Sequence, residues 1–291
     1  RMTQECKPAL LIDRSLPNSG CTHTILWAEG DELWGYGTDY SLRKSTDCGA
    51  SWSKSLSNSA ASLARWGIDG LFLKTSAGTL LTTSHPNALT EPKIIRSADG
   101  GVTWTDVVAA QANIQYLGAT SMCQDPVTGY IYLTEYVTVG AATQATWKIS
   151  RSTDDGATWT TFKTFQRDSI AYPTTAVRHG HSVQWDPVDQ RIWFLCGDSE
   201  KAAGLYRVNA GGTDVEAVIT NTNLDSAAGQ YAGAVGLMFF PNCVAWGVDQ
   251  VTDSHLIRMH RSQIGQSSPA VESLGRLQST AWYTCRVASD N

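Results

Sequence analysis

The stretch RSTDDGATW, Arg151–Trp159, decides how this chain is read. It has the composition of a tight turn, yet it ends on a tryptophan. Two near copies precede it, KSTDCGASW at Lys44–Trp52 and RSADGGVTW at Arg96–Trp104. Their central aspartates, Asp47, Asp99 and Asp154, stand 52 and 55 residues apart. A regular period of this length marks an array of similar supersecondary units. The next turn is expected near residue 209, where YRVNAGGTDV (Tyr206–Val215) keeps Gly212 but carries Ala210 for the aspartate and Val215 for the tryptophan. LIRMHRSQIG (Leu256–Gly265), around Arg261, is a weaker echo one period later.

Each unit reads as four short strands, and the fourth unit is the clearest. It runs HSVQW (His181–Trp185), the turn DPVDQ (Asp186–Gln190), RIWFLC (Arg191–Cys196), GLYRV (Gly204–Val208), the altered turn, and VEAVI (Val215–Ile219). Alternating and β-branched residues broken by Gly, Asp or Pro indicate strands. The third unit carries the same turn letters, Asp125-Pro126-Val127 against Asp186-Pro187-Val188. Four-stranded units at this period predict an all-β chain, a single β-propeller domain over 1–291 built of four-stranded antiparallel blades packed face to face. The expected blades cover about 22–56, 66–109, 115–165, 177–220 and 231–275, with a partial sixth at 276–291. QSTAWYTCRVASDN (278–291) reads as the first strand of that sixth and PALLID (8–13) as a closing strand. Between a ring closed by split strands and a fragment of a longer protein, the reading favours the fragment.

Composition agrees with short strands and tight turns, with 25 glycines, 11 tryptophans and only 17% charged residues. A net charge of −5 gives no basic field for nucleic acid. No apolar run approaches the ~20 residues of a membrane span, so membrane insertion is not expected. No signal peptide is visible, and a chain opening on Arg1 is consistent with processing or truncation. The seven cysteines form no CxxC pair, and their odd number leaves at least one unpaired. Cys48 and Cys196 read as packing residues.

The pattern S-x-D-x-G-x-x-W resembles the Asp-box, the bacterial neuraminidase repeat of sialidases and related propellers. It stands here as Ser45-Asp47-Gly49-Trp52, Ser97-Asp99-Gly101-Trp104 and Ser152-Asp154-Gly156-Trp159. Three copies in phase with a blade-length period carry the resemblance, which spans about residues 20 to 275 as blades. The physics of such a turn is structural. Its aspartate accepts backbone N–H groups of its own loop, its glycine supplies a positive φ, and its tryptophan packs beneath the turn. The resemblance implies that the box joins the third and fourth strands, away from the active site.

Strand direction then locates a site. In an up-and-down blade the 1–2 and 3–4 turns share one end, so residues starting strand 1 or ending strand 2 gather at the other. There the fourth unit reads RHGHS before strand 1 and CGDSE after strand 2, giving Arg178, His179, His181 and Asp198. Two histidines two apart on a strand point the same way. Aligned units add His23, Asp39 and Asp249, with Tyr231 before the fifth unit's first strand and Glu135-Tyr136 ending the third unit's second. His181, Asp198 and Arg178 are the candidate catalytic groups, and His179, His23, Asp39, Asp249, Glu135 and Tyr231 the candidate ligand contacts. A histidine serves as acid, base or metal ligand near neutral pH. No cofactor is called for, and no metal is assigned. In the bland reading these groups only tie loops at the channel mouth and stabilise blade four.

The resemblance implies what an active sialidase would need: three arginines for the sialate carboxylate, a Tyr–Glu pair and an aspartate acid/base. The family's arginine motif is not seen, the nearest segment being Arg14-Ser15-Leu16-Pro17. Arg43, Arg96, Arg151 and Arg207 lead into the box turns, on the wrong side for a triad, and only Arg178 is well placed. Glu135 and Tyr136, as strand neighbours, face opposite ways while the strand persists. The favoured reading is a glycan-recognising propeller, binding or structural, at an extracellular, cell or virion surface. Assembly into a larger particle or homo-oligomer is left open. The alternative is a carbohydrate-active enzyme, either a sialidase-like hydrolase or a polysaccharide lyase using His181, Arg178 and Tyr231. Trp27, Trp34, Trp193 and Trp246 fall at alternating strand positions and read as core rather than sugar platforms.

Overall fold

A computed structural model describes residues 23–37, 39, 41–56, 71–84, 92–137, 146–166, 179–197, 203–220, 229–249 and 254–277. Blade one comprises β1 (His23–Glu29), β2 (Glu32–Gly37), β3 (Leu42–Ser45) and β4 (Ser53–Leu56). Blade two comprises β5 (Phe72–Lys74), β6 (Leu80–Ser84), β7 (Lys93–Ser97) and β8 (Thr105–Val108), and β9 (Ile114–Gln115) follows it. Blade three is made of β10 (Met122–Gln124), β11 (Ile131–Thr134), β13 (Thr146–Ser152) and β14 (Thr160–Gln166), while β12 (Tyr136–Val137) leaves it to pair with β9. Blade four comprises β15 (Gly180–Asp186), β16 (Arg191–Cys196), β17 (Gly204–Val208) and β18 (Val215–Thr220). Blade five comprises β19 (Ala234–Phe239), β20 (Cys243–Val248), β21 (His255–His260) and β22 (Glu272–Arg276). Among the described residues the five blade sheets are antiparallel and follow chain order. Arg276 belongs to blade five, and the rest of the expected sixth blade beyond residue 277, like the PALLID strand, lies outside the described residues.

Neighbouring blades lock through aromatic side chains on their facing surfaces. Trp34 of blade one stacks on Phe72 of blade two at 5.3 Å. Trp147 stacks on Phe165 at 4.4 Å, and Phe165 meets the edge of Tyr206 in blade four at 5.3 Å. Trp193 meets Phe239 of blade five at 6.0 Å. Trp34, Trp193 and Trp246 are fully buried, as core tryptophans should be. Trp27 is half-buried and covered by the Lys74 ammonium, 4.4 Å from its ring centroid.

The three box turns join the third and fourth strands of blades one, two and three, and they share one hydrogen-bond pattern. Ser152 Oγ donates to Asp154 Oδ1 (2.8 Å), and Gly156 N–H donates to Ser152 Oγ (2.8 Å). Thr158 bonds Asp154 through its N–H (2.8 Å) and its hydroxyl (2.6 Å), and the Trp159 indole donates to Gly156 O (3.2 Å). Ser51 and Thr103 serve Asp47 and Asp99 in the same way. Gly49, Gly101 and Gly156 take φ of 89°, 91° and 81°, the left-handed region that favours glycine.

Blade four corrects the expected alignment of its turn. Asn209 does the work of the aspartate, since its Oδ1 accepts Thr213 N–H (3.0 Å) and its carbonyl accepts Gly212 N–H (3.1 Å). Asn209 lies 55 residues after Asp154, so the period holds and Ala210 is one position late. The tryptophan position belongs to Asp214 rather than Val215, and Asp214 pairs with Lys163 of blade three at 2.8 Å. Cys48 is a second correction. It is exposed, with φ of 55° and its thiol donating to Asp31 (3.2 Å), so it does not pack; Cys196 is buried as expected.

Candidate functional site at the end opposite the box turns

The histidine pair sits where β15 begins, with a bulge in the ladder. Gly180 pairs with Cys196 and Ser182 with Leu195, which makes His181 the extra residue. The two imidazoles remain neighbours, with ring centroids 5.1 Å apart. Both side chains are buried. His179 Nδ1 bonds Val137 O (2.9 Å) and His181 Nδ1 bonds Ala234 O (3.1 Å). A carbonyl only accepts, so each Nδ1 carries a proton, and a neutral ring then presents Nε2 as an acceptor. Val137 belongs to β12 and Ala234 opens β19, so the pair also ties blade four to both neighbouring blades. Gly180 permits the close approach. A Cβ there would lie 1.8 Å from Thr134 Oγ1, while its N–H donates to Glu135 O (3.0 Å).

Strand alternation misplaced Tyr136. β11 ends at Thr134, the chain leaves the sheet at Glu135, and Tyr136 stacks on His179 at 3.9 Å, with His181 at 6.3 Å. Because the strand does not persist, the opposite-face argument for Glu135 and Tyr136 loses its premise. Glu135 turns back into blade three, where its carboxylate accepts Lys148 N–H (2.8 Å). Burial raises its carboxyl above the usual range, against the weaker pull of that N–H and of the Lys148 charge. Tyr116, also buried, has its phenol pushed up by burial and then by the Glu135 charge. No signal in the letters announces the break after Thr134.

The other candidates scatter around this end. Asp39 is exposed and engaged locally, accepting Ser41 N–H (3.2 Å), the Ser41 hydroxyl (3.0 Å) and Arg43 Nη2 (3.0 Å), with Arg43 foremost in lowering its carboxyl to about 2. Asp249 follows β20 and donates its N–H to Gly233 O (2.7 Å). Tyr231 packs on the blade-five core with its ring 5.5 Å from His255, and its carbonyl accepts the Trp246 indole (2.7 Å). His23 opens β1 opposite Gly37. Arg178 and Asp198 lie outside the described residues; Gly197 donates its N–H to His179 O (2.8 Å). Among the described residues no group of three or more His, Cys, Asp or Glu is placed to hold a metal ion. No helix among them is long and apolar enough to cross a membrane.

Five sequential four-stranded meanders, packed face to face with their corners sorted to two ends, define a β-propeller. Comparison with protein-family models and with curated protein sequences returned no match. Among solved structures, an ancestral GH74 enzyme aligns with a TM-score of 0.56 at 14% identity, covering 86% of this chain and 30% of its own. The GH74 xyloglucanase from Xanthomonas campestris aligns with a TM-score of 0.51 at 15% identity, covering 85% and 38%. YCF48 bound to D1 peptide gives 0.47 at 16% identity, covering 85% and 65%. The chain therefore spans less than two thirds of each of these proteins, and what it shares with the two GH74 enzymes is the fold.

Proposed function

We propose that this chain is a glycan-recognising β-propeller of the sialidase-like, Asp-box superfamily, serving as a binding or structural module at an extracellular, cell or virion surface. Its ligand meets the end opposite the box turns, around Arg178, His179, His181 and Asp198, with Glu135 buried beside them and Tyr231, His23, Asp39 and Asp249 at the rim. The observation that carries this reading is the convergence of Tyr136, His179 and His181 at the start of one inner strand, next to Glu135. Both imidazoles are buried and committed through Nδ1 to backbone carbonyls of the neighbouring blades, so they shape the wall of this end rather than reach out to a ligand, which fits recognition better than turnover.

A second reading, a carbohydrate-active enzyme with His181, Asp198 and Arg178 as its catalytic groups, draws on Glu135. A buried carboxyl with a raised pKa is what a general acid requires. A glycan array, with sialosides and uronate polysaccharides assayed in parallel for turnover, separates the two. The His181→Gln variant keeps a donor for Ala234 O. It is expected to melt within about 1 kcal/mol of the parent while losing glycan binding without any turnover to lose. Turnover abolished by the substitution favours the second reading. An array with no binder and no turnover overturns both.

A further inference from the structure

The box-turn end of blades four and five holds a chain of six alternating charges. Arg191 Nη1 lies 3.5 Å from Glu216 Oε1, and the same oxygen takes Arg207 Nε. Arg207 Nη1 reaches Asp189 Oδ2 (3.3 Å), which Arg261 Nη1 also reaches (2.8 Å). Arg261 then forks onto Asp186, Nη1 to Oδ2 (2.6 Å) and Nη2 to Oδ1 (2.9 Å), and its Nε donates to Phe240 O (2.7 Å). Asp186 is fully buried and the Arg261 side chain is 10% exposed. Three guanidinium groups are thus held side by side by acids and carbonyls.

They front a shallow, open depression of about 320 Å³ lined by Asp189, Arg191, Arg207, Arg261 and Ile264. That volume falls at the small end of ligand pockets. The three arginines are balanced by Asp186, Asp189 and Glu216, so recognition here rests on donors the ion pairs leave over and not on net charge. Arg207 Nη2, Arg191 Nε and Arg191 Nη2 make no hydrogen bond among the described residues, so spare donors remain on two neighbouring forks. Planar forks of this kind match an oxyanion with two parallel bonds. Asp189 Oδ1, likewise unbonded among the described residues, is an acceptor for a hydroxyl, and Ile264 offers an apolar wall. We propose that this depression binds a carboxylate or sulfate carried on a small hydroxylated molecule, an acidic monosaccharide being the class that fits. Five residues along β15 separate His181 from Asp186, so the depression stands about 17 Å from the histidine pair and forms a second site.

Titration calorimetry on the whole chain tests this, with sodium glucuronate, sodium sulfate and glucose as probes at matched ionic strength. Saturable binding on the order of millimolar is expected for glucuronate, for sulfate or for both, and not for glucose. Glucuronate alone assigns a sugar carboxylate, sulfate alone a sulfate group, and both an oxyanion as sufficient. Arg191→Met, which keeps the stem and removes the fork, is expected to weaken binding about tenfold. Arg207→Lys, which keeps the charge and loses the fork, should do the same and serves if Arg191→Met fails to fold. His181→Gln should leave this binding unchanged, whatever becomes of the site around the histidines. No saturable heat from either anion, glucose binding as well as glucuronate, indifference to both arginine substitutions, or loss in His181→Gln overturns the assignment.

Discussion

Asp47 and Asp154 are surface carboxylates that act as parts of the backbone. Hydrogen bonds, led by the hydroxyls of Ser51 and Thr158, lower their carboxyls from 3.8 to about 2. A folded-state pKa below the unfolded one means that their contribution is complete above about 4 and is lost as pH falls toward 2. The melting temperature followed by circular dichroism is expected to drop over that window, and Asp154→Asn should flatten the drop. Glu135 has the opposite sign. Burial raises its carboxyl, so its protonated form favours the fold and that contribution fades as pH rises. Gly156 combines a φ of 81° with a position where a Cβ would sit 2.8 Å from Leu81 of blade two. Gly156→Ala should therefore cost about 1–3 kcal/mol in denaturant melts. At this scale the letters Ser, Asp, Gly and Trp identified the turns directly. Asn209 escaped because what the loop needs is an acceptor oxygen at that position, and an amide supplies one as well as a carboxylate.

The blades owe their spacing to contacts between successive elements that no single unit contains. Arg96 at the end of β7 donates to Asp155 O in the box of blade three (2.9 Å), and Arg151 at the end of β13 donates to Gly212 O in blade four (3.0 Å). Ser55 of β4 donates to Gly101 O in blade two (2.5 Å). Arg96 and Arg151 are therefore clasps onto the next blade, whereas Arg43 and Arg207 pair within their own blades. Every blade also carries a register shift between its third and fourth strands, including the two whose turns have diverged. Such bulges increase strand twist. Neither feature follows from alternation, since a clasp depends on a partner 46 to 61 residues away in sequence and a bulge leaves the apolar pattern almost unchanged. Arg261 and Asp186, separated by 75 residues, are the strongest instance. Arg261→Ala would leave the Asp186 carboxylate buried without its fork, at an expected cost of about 3–5 kcal/mol in equilibrium unfolding.

Across the whole molecule, reversal of successive strands sorts polar residues to two ends with different chemistry. One end carries box turns, inter-blade arginines and an arginine-lined depression; the other carries buried imidazoles, a tyrosine and a carboxyl raised by burial. The sorting was legible in the sequence because it depends only on strand count and turn position. The composition of the histidine end was half legible, since His179 and His181 lie on one strand while Tyr136 reaches them only after the chain leaves its sheet at Glu135. Hydrogen-exchange mass spectrometry with the best ligand from a glycan array tests most directly whether recognition belongs to that end. The account predicts slowed exchange at Tyr136–Val137 and Gly180–Ser182, with the box turns at 47–52, 99–104 and 154–159 unchanged. Protection confined to the box turns, or no glycan bound by the array, would contradict it.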